Sequence, residues 1–121
     1  MDTGGRLETF NAPPGVAVIT FNTDEVYASC PLTGQPDFYS LSLEYMVNKK
    51  CIESKSLKLY IQSLATLGIF GEGLASKIAK DAYDVLEAKS VKVTLTQKPR
   101  GGISIVTECY CSDKNRYTFD V

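Results

Sequence analysis

Residues 38–47 read Phe-Tyr-Ser-Leu-Ser-Leu-Glu-Tyr-Met-Val, an alternating run around which the rest of the chain can be arranged. Successive side chains of a β-strand point to opposite faces of a sheet, so every second residue of this run shares a face. One of those faces contains only Tyr, Leu and Val. The run therefore predicts a half-buried strand with Leu41 and Leu43 directed inward.

Further strands are predicted on both sides of this run. Upstream, Val16–Phe21 is rich in β-branched and aromatic residues. Downstream, apolar and polar residues alternate over Val91–Thr96, and a fourth strand follows over Gly102–Cys111. Gln97–Gly101 is the expected turn between these last two strands.

Between the two pairs of strands the hydrophobic period changes from two to that of a helix. One predicted helix begins at Glu53 and ends at Gly68, and a second spans Glu72–Ala88. The order ββααββ predicts an α+β fold, an antiparallel sheet with two helices on one face. Such a small sheet has open edges, which favours a homo-oligomer that covers them.

Size and composition limit the classes of protein that this chain can be. Its 121 residues correspond to one domain, 1–121, with a Gly- and Pro-containing N-terminal arm at 1–15 that we expect to be flexible or draped. The net charge of −1 argues against a general nucleic-acid binder. No apolar run approaches the ~20 residues of a membrane span, and residues 1–6 lack a secretory signal. The sequence predicts a cytoplasmic protein with no membrane segment.

Cysteine and histidine content restrict the chemistry. The chain has four cysteines and no histidine, and no pair has Cys-x-x-Cys spacing. A zinc site is therefore not expected, and catalytic Ser-His or Cys-His pairs are excluded. In a reducing cytoplasm the cysteines should remain thiols. Cys109 and Cys111 lie two apart on a predicted strand and are interpreted as packing residues.

The segment Cys30–Asp37, Cys-Pro-Leu-Thr-Gly-Gln-Pro-Asp, holds one thiol and one carboxylate on either side of turn-forming residues. It reads as a shaped loop that fixes the two groups relative to each other. A thiolate is a nucleophile, and a carboxylic acid can deliver a proton. From the spacing alone, an inert buried Cys30 beside a solvated Asp37 is the more common arrangement.

Two lysines near the start of the first predicted helix share a face because they are three residues apart. These are Lys55 and Lys58, and cations placed together in this way suit phosphate groups. A solvated helix face is the usual interpretation of a lone lysine pair. Glu53 falls in the first turn, where negative charge suits the helix dipole.

Three stretches, in order, resemble the 7-cyano-7-deazaguanine reductases, the nitrile reductases of queuosine biosynthesis. The first is Cys-Pro-Leu-Thr-Gly-Gln-Pro-Asp-Phe at 30–38, and the second is Glu-Ser-Lys-Ser-Leu-Lys-Leu-Tyr at 53–60. The third is Pro-Arg-Gly-Gly-Ile-Ser-Ile at 99–105. The resemblance extends over roughly residues 16–105.

The resemblance implies a fold and an assembly. These reductases resemble GTP cyclohydrolase I in having the tunnelling fold, in which ββααββ subunits join edge to edge into β-barrel rings. It implies pentameric rings, stacked as a decamer, with active sites at the subunit interfaces. It also implies that the chain uses NADPH to reduce a nitrile to a primary amine, with no direct contact to nucleic acid.

The resemblance also assigns roles to residues. Cys30 is implied to be the nucleophile that forms a thioimide, and Asp37 the acid that protonates the nitrile nitrogen. To hold a proton near neutral pH, Asp37 should be at least partly buried. Substrate contacts are implied for Glu72, which can accept two N–H groups of the base, and for Ser54 and Glu53. The residues implied to bind NADPH are Lys55, Lys58, Arg100 and Gly101; the chain has no Gly-x-Gly-x-x-Gly fingerprint.

One position departs from the family. Where the family has a histidine that assists proton transfer, this chain has Gly71, so water or a nearby tyrosine would have to transfer the proton.

Two other functions remain as alternatives to the reductase. The first is an archaeosine-type amidinotransferase, which adds ammonia to the nitrile of the base in tRNA. The second is a ring protein that binds deazaguanine without turnover.

Overall fold

The computed structural model describes residues 5–113, which form one α+β unit. Residues 1–4 of the expected N-terminal arm and residues 114–121 lie outside the described residues. The elements in chain order are β1 (Thr9–Asn11), β2 (Val18–Ser29), β3 (Pro36–Met46), β4 (Lys50–Ile52), α1 (Ser54–Ser63), α2 (Gly71–Leu86), β5 (Ser90–Arg100) and β6 (Ile103–Ser112).

The principal sheet has four strands in the order β2-β3-β5-β6, all antiparallel. Its two central strands are β3 and β5, which the crossover through both helices brings together. On β3 every second residue from Asp37 to Tyr45 is buried, and Leu41 and Leu43 are among them. The inward direction predicted for these leucines is confirmed.

Both helices pack on the buried face of this sheet. Leu57 and Tyr60 of α1 and Leu74 and Ile78 of α2 belong to the same buried cluster as the inward side chains of β3 and β5. Polar residues such as Ser42 and Glu44 lie on the opposite face and are partly or fully exposed. The predicted ββααββ order, with an antiparallel sheet and two helices, is confirmed.

A two-stranded sheet that the sequence did not predict joins β1 to β4 in antiparallel register. Thr9 pairs with Ile52 and Asn11 pairs with Lys50. The strands have three residues each, too few for a hydrophobic period to be visible. Part of the expected N-terminal arm is thus held against the start of α1.

Several predicted boundaries were wrong. Strand β2 continues past Phe21 to Ser29, because its polar middle pairs with β3 across a bulge. Helix α1 ends at Ser63 and a short 3-10 turn follows, so Gly68 is not its terminator. Strand β5 continues to Arg100, which moves the turn from Gln97–Gly101 to Gly101 and Gly102.

Two general properties follow from these elements. None of the helices within residues 5–113 is long and apolar enough to cross a membrane. All four cysteines are free thiols. Cys51 and Cys111 are buried and Cys109 is partly buried, which supports the packing role predicted for Cys109 and Cys111.

Candidate active site

The Cys30 loop closes at the end of β2 through backbone hydrogen bonds. The N–H of Cys30 donates to the carbonyl oxygen of Gln35 at 2.8 Å, and the N–H of Gly34 donates to that of Cys30 at 2.8 Å. Gly34 has φ +75°, a left-handed conformation that glycine adopts without strain. The loop therefore holds Cys30 in place while leaving its thiol partly exposed.

The surroundings of Cys30 favour the thiolate. A hydrogen bond from the Thr33 side chain lowers the pKa of the Cys30 thiol, and the backbone N–H groups of Thr33 and Leu32 lower it further. Burial and the charge of Asp37 raise this pKa, but by less. A partly exposed thiol with a lowered pKa is a reactive nucleophile, whereas an inert packing cysteine is buried among apolar groups.

Asp37 lies on β3, on the face that carries the helices. Asp37 is only 5% exposed, so its predicted burial is confirmed. Arg100 Nη1 donates a hydrogen bond to Asp37 Oδ1 at 2.5 Å, and the two side chains form an ion pair. Asp37 raises the pKa of the Arg100 guanidinium through this hydrogen bond and its charge. Arg100, which sequence reasoning placed with the cofactor, thus contacts the candidate acid.

The strand end at Arg100 explains how the guanidinium reaches Asp37. The register of β5 and β6 shifts between Gln97 and Arg100, and Arg100 then pairs with Ile103. Gly101 and Gly102, with φ +63° and +84°, form the two-residue turn between these positions. The structure gives Gly101 a conformational role in this hairpin.

The start of α2 lies beside the Cys30 loop. Ser29 forms a parallel bridge with Gly68. The Ser29 N–H donates to the carbonyl oxygen of Leu67 at 2.8 Å, and the Ile69 N–H donates to the carbonyl oxygen of Ser29 at 3.0 Å. These bonds tie the segment before α2 to the residue before Cys30. An open depression results, lined by Pro31, Gly68, Ile69, Phe70, Glu72 and Gly73. Glu72 is therefore exposed next to the cysteine loop.

Tyr39 is a residue of this region that sequence reasoning did not single out. It follows Asp37 by two positions on the same face of β3, is 0% exposed, and pairs in register with Gln97 of β5. Its hydroxyl is buried and has no hydrogen-bond partner within the part of the chain that the structure describes. A polar-tipped aromatic side chain two residues from the candidate acid was the signal available in the sequence.

The residues of the Glu53–Tyr60 stretch lie on α1. Glu53 is the N-cap of this helix, and its carboxylate accepts hydrogen bonds from the N–H groups of Lys55 and Ser56, both at 2.8 Å. Ser54, Lys55 and Lys58 are exposed. Glu53, predicted to contact substrate, thus has a structural role in stabilising the start of α1.

Within one chain, the start of α1 is distant from Cys30. The Tyr45 hydroxyl accepts a hydrogen bond from the Ile52 N–H at 2.9 Å, which places residue 53 at the Tyr45 end of β3. Asp37 lies at the other end, about 26 Å away along an extended strand. The structure thus brings together Cys30, Asp37, Arg100 and the start of α2, but not the stretch on α1.

Lys58 lines a groove between α1 and β2, with Phe21, Asn22, Thr23, Glu25, Leu41, Leu57, Ile61 and Gln62. Neither Lys55 nor Lys58 forms an ion pair with any residue in the range 5–113. Lys58 is thus an unpaired cation beside a groove of mixed apolar and polar lining, an arrangement that suits a phosphate-bearing ligand with a ring system.

Comparison with known proteins gives a family match over most of the chain. A family model described as QueF-like protein matches residues 36–116. The NADPH-dependent 7-cyano-7-deazaguanine reductase of Streptococcus mutans is 48% identical over 87 residues, covering 72% of this chain and 54% of that protein. The enzyme of the same name from Syntrophus aciditrophicus is 42% identical over 105 residues, covering 85% and 75%.

The chain spans little more than half the length of some of these relatives. The matched part is 54% of the Streptococcus mutans protein and 58% of the Parabacteroides distasonis reductase, which is 42% identical over 91 residues. Among solved structures, the apo archaeosine synthase QueF-Like superposes with a TM-score of 0.74 at 19% identity. That match covers 79% of this chain and 94% of the other, and it shows a shared fold.

Proposed function

Because the chain belongs to the family of QueF-like proteins, we propose that it reduces the nitrile of 7-cyano-7-deazaguanine to the primary amine with NADPH. The observation that carries this proposal is the partly exposed Cys30 thiol, with its lowered pKa, next to the buried Asp37. Relatives named for this reaction support this substrate class. The product would be 7-aminomethyl-7-deazaguanine, an intermediate of queuosine biosynthesis, formed in the cytoplasm.

The first step would be covalent. The Cys30 thiolate adds to the nitrile carbon, a C–S bond forms, and the nitrogen takes a proton from Asp37, which gives a neutral thioimide. This makes the carbon a better hydride acceptor than it was in the nitrile. Because Arg100 contacts Asp37 in the free chain, delivery of the proton requires that the guanidinium move off this carboxyl group.

Lys55, Lys58 and Arg100 are the residues proposed to hold the phosphate groups of NADPH, and Gly101 is proposed to let backbone approach them. Two molecules of NADPH, bound in succession, would each supply one hydride to the nitrile-derived carbon, with loss of the C–S bond between the two transfers returning Cys30 to its thiolate. With the proton from Asp37, one further proton on nitrogen completes the neutral amine. Glu72 and Ser54 are proposed to position the base, and Glu53 to support them as the N-cap of α1.

A complete site would need more than one copy of the chain, because the start of α1, with Ser54, and the Cys30 loop lie at opposite ends of the sheet. Apart from the Ser29–Gly68 bridge at the end of β2, neither edge strand, β2 or β6, has a strand partner on its outer side within residues 5–113. Exposed apolar side chains occur on both, among them Val18, Tyr27, Ile103 and Val106. These features support edge-to-edge closure into β-barrel rings, proposed as pentamers stacked into a decamer. Light scattering on the intact protein measures this mass.

The presence of Gly71 in place of the family histidine affects the proton transfers that accompany reduction, not the formation of the thioimide.

The decisive experiment mixes the protein with 7-cyano-7-deazaguanine and NADPH and follows the intact protein mass and NADPH absorbance together. An adduct that Cys30→Ala abolishes and Cys109→Ala does not, with two NADPH oxidised per amine formed, supports the reductase. Cys109 is a matched control because burial raises the pKa of its thiol.

Other outcomes assign the chain to an alternative. An adduct that accumulates without NADPH oxidation contradicts the reductase and leaves the amidine-forming reaction, which ammonia and a nitrile-bearing tRNA then test. Absence of any adduct contradicts both reactions and leaves a protein that binds the base without turnover.

A further inference from the structure

The buried hydroxyl of Tyr39 is the polar group in this region that no role assigned so far explains. Tyr39 is 0% exposed, and its hydroxyl has no hydrogen-bond partner within residues 5–113. Leaving a buried donor unsatisfied destabilises a fold, and phenylalanine would fill the same space without this cost. A ligand that supplies the missing acceptor would explain why the residue is tyrosine.

The hydroxyl lies at the first residue of α2. A Cβ atom built on Gly71 would be 3.6 Å from the Tyr39 hydroxyl oxygen and 3.1 Å from ring atom Cε2. The same point is 3.2 Å from Gln97 Oε1. With glycine at position 71 no side chain covers the hydroxyl from this side, but the gap is too narrow for a further carbon atom, so a ligand atom reaches the hydroxyl only when the partly exposed amide of Gln97 turns aside.

Electrostatics locate the hydroxyl relative to the site residues. Burial, followed by the charges of Asp37, Glu72 and Cys30 in decreasing order, raises the pKa of Tyr39 to about 12. At neutral pH the side chain is therefore a neutral phenol that can donate a hydrogen bond. It is influenced both by the pair proposed to act on the nitrile, Cys30 and Asp37, and by the carboxylate proposed to bind the base, Glu72.

The polar groups of the base occur in an order that can match Cys30, Tyr39 and Glu72. In a 7-cyano-7-deazaguanine the carbonyl at C6 lies between the nitrile on C7 and the N1–H and 2-amino donors. We propose that the Tyr39 hydroxyl donates a hydrogen bond to this carbonyl oxygen, with the nitrile directed to Cys30 and the donor edge to Glu72. Entry of the base turns the Gln97 side chain aside. This inference rests on the proposed function, because it takes its ligand from that proposal.

Reversible binding tests the contact without turnover. In a Cys30→Ala background, which prevents the covalent adduct, calorimetry compares the affinity for 7-cyano-7-deazaguanine with and without Tyr39→Phe. Loss of one hydrogen bond to a buried donor should weaken binding about tenfold. Tyr45→Phe is the matched control, since Tyr45 lies on the same face of the same strand and its hydroxyl is already bonded to Ile52. This control should leave the affinity unchanged.

A base with sulfur in place of the C6 oxygen separates this contact from a structural effect. Sulfur is a weak acceptor, and the analogue keeps the N1–H and 2-amino groups. Tyr39→Phe should therefore change its affinity less than twofold, against the tenfold change with the oxygen base. The free energy of unfolding provides a second readout: Tyr39→Phe should not lower it, whereas Tyr45→Phe should.

The outcomes distinguish the inference from the function on which it rests. Equal affinity of the Tyr39→Phe and parent proteins for the oxygen base overturns the inference while the nitrile chemistry at Cys30 stands. The expected affinities, found together with no adduct in the unsubstituted protein, support the contact and overturn the reductase. A protein that does not bind the base at all overturns both.

Discussion

Replacement of Gly71 by alanine tests how tightly the start of α2 packs against the sheet. The added Cβ would lie 3.1 Å from Tyr39 Cε2 and 3.2 Å from Gln97 Oε1. Both distances are shorter than an ordinary van der Waals contact. The Gln97 amide can turn away, but the ring of Tyr39 is fully buried between the sheet and the helices and has little room to shift.

Two effects of opposite sign determine how much Gly71→Ala changes the free energy of unfolding. Overpacking of a well-packed core costs about 1–3 kcal/mol. A change from glycine to alanine stabilises a helix interior by up to ~1 kcal/mol, and by less at its first residue. We therefore expect Gly71→Ala to lower the free energy of unfolding by about 1 kcal/mol, which is roughly 4 °C in Tm for a chain of this size.

Urea unfolding at a single protein concentration measures this change, and Gly73→Ala is its control. Gly73 lies two residues further along α2, is exposed, and its added Cβ would meet Ile69 Cγ1 at 3.2 Å and Cδ1 at 3.4 Å. Those atoms belong to a flexible, partly exposed side chain. Gly73→Ala should therefore leave stability unchanged or raise it slightly through helix propensity.

A second substitution can test whether contact with Tyr39 causes the destabilisation expected for Gly71→Ala. When Tyr39→Leu removes the ring, adding Gly71→Ala should no longer destabilise the protein, because the close contact is gone. A penalty that persists in the Tyr39→Leu background would refute the assignment of the strain to Tyr39. A Gly71→Ala protein as stable as the parent would refute the tight packing itself.

Three further substitutions probe the site. Thr33→Val should raise the pKa of Cys30 by removing its largest stabilising hydrogen bond, so less thiolate is present at pH 7 and alkylation by iodoacetamide should slow several-fold. Glu53→Ala should lower the free energy of unfolding in urea by about 1 kcal/mol because it removes the N-cap of α1, and Glu53→Ser should recover most of this loss. Arg100→Ala should destabilise the protein at pH 7, because it leaves the Asp37 carboxylate buried without its partner, and adding Asp37→Asn should restore part of the stability.

Each of these expectations has a control or a contrary result. Alkylation of Cys109 should not change in Thr33→Val, and an unchanged rate at Cys30 would contradict the hydrogen-bond explanation. Equal stability of the alanine and serine variants at position 53 would show that capping is not what this carboxylate contributes. If Asp37→Asn restored nothing in the Arg100→Ala protein, the ion pair would not be the source of its instability.

The hydrophobic pattern was sufficient for the order of the main elements, and it failed where the pattern is absent. The alternation over residues 38–47 identified β3 and its inward face. Thr9–Asn11 and Lys50–Ile52 are too short to show any period, and they form strands because they pair with each other. The polar middle of β2 was likewise recognised only through its pairing with β3.

The candidate site also has features that the sequence predicted and features that only the structure shows. The motifs predicted Cys30, Asp37, Arg100 and Glu72 as candidate site residues. The pairing of Arg100 with Asp37 could not be predicted, because it depends on a shift in register near the end of β5. The separation of Ser54 from Cys30 within one chain was equally hidden, since it depends on which end of β3 the first helix starts from.

The sequence by itself determined the α+β order and the inward face of the sheet, and it supplied Cys30 as the candidate nucleophile. It did so because side-chain periodicity and residue chemistry are local properties. Only the tertiary structure decided that Asp37 pairs with Arg100, that Glu53 caps a helix, and that the hydroxyl of Tyr39, beside Gly71, lacks a partner among residues 5–113. These properties depend on atoms far apart in the chain, whose distances are set by strand register and helix packing.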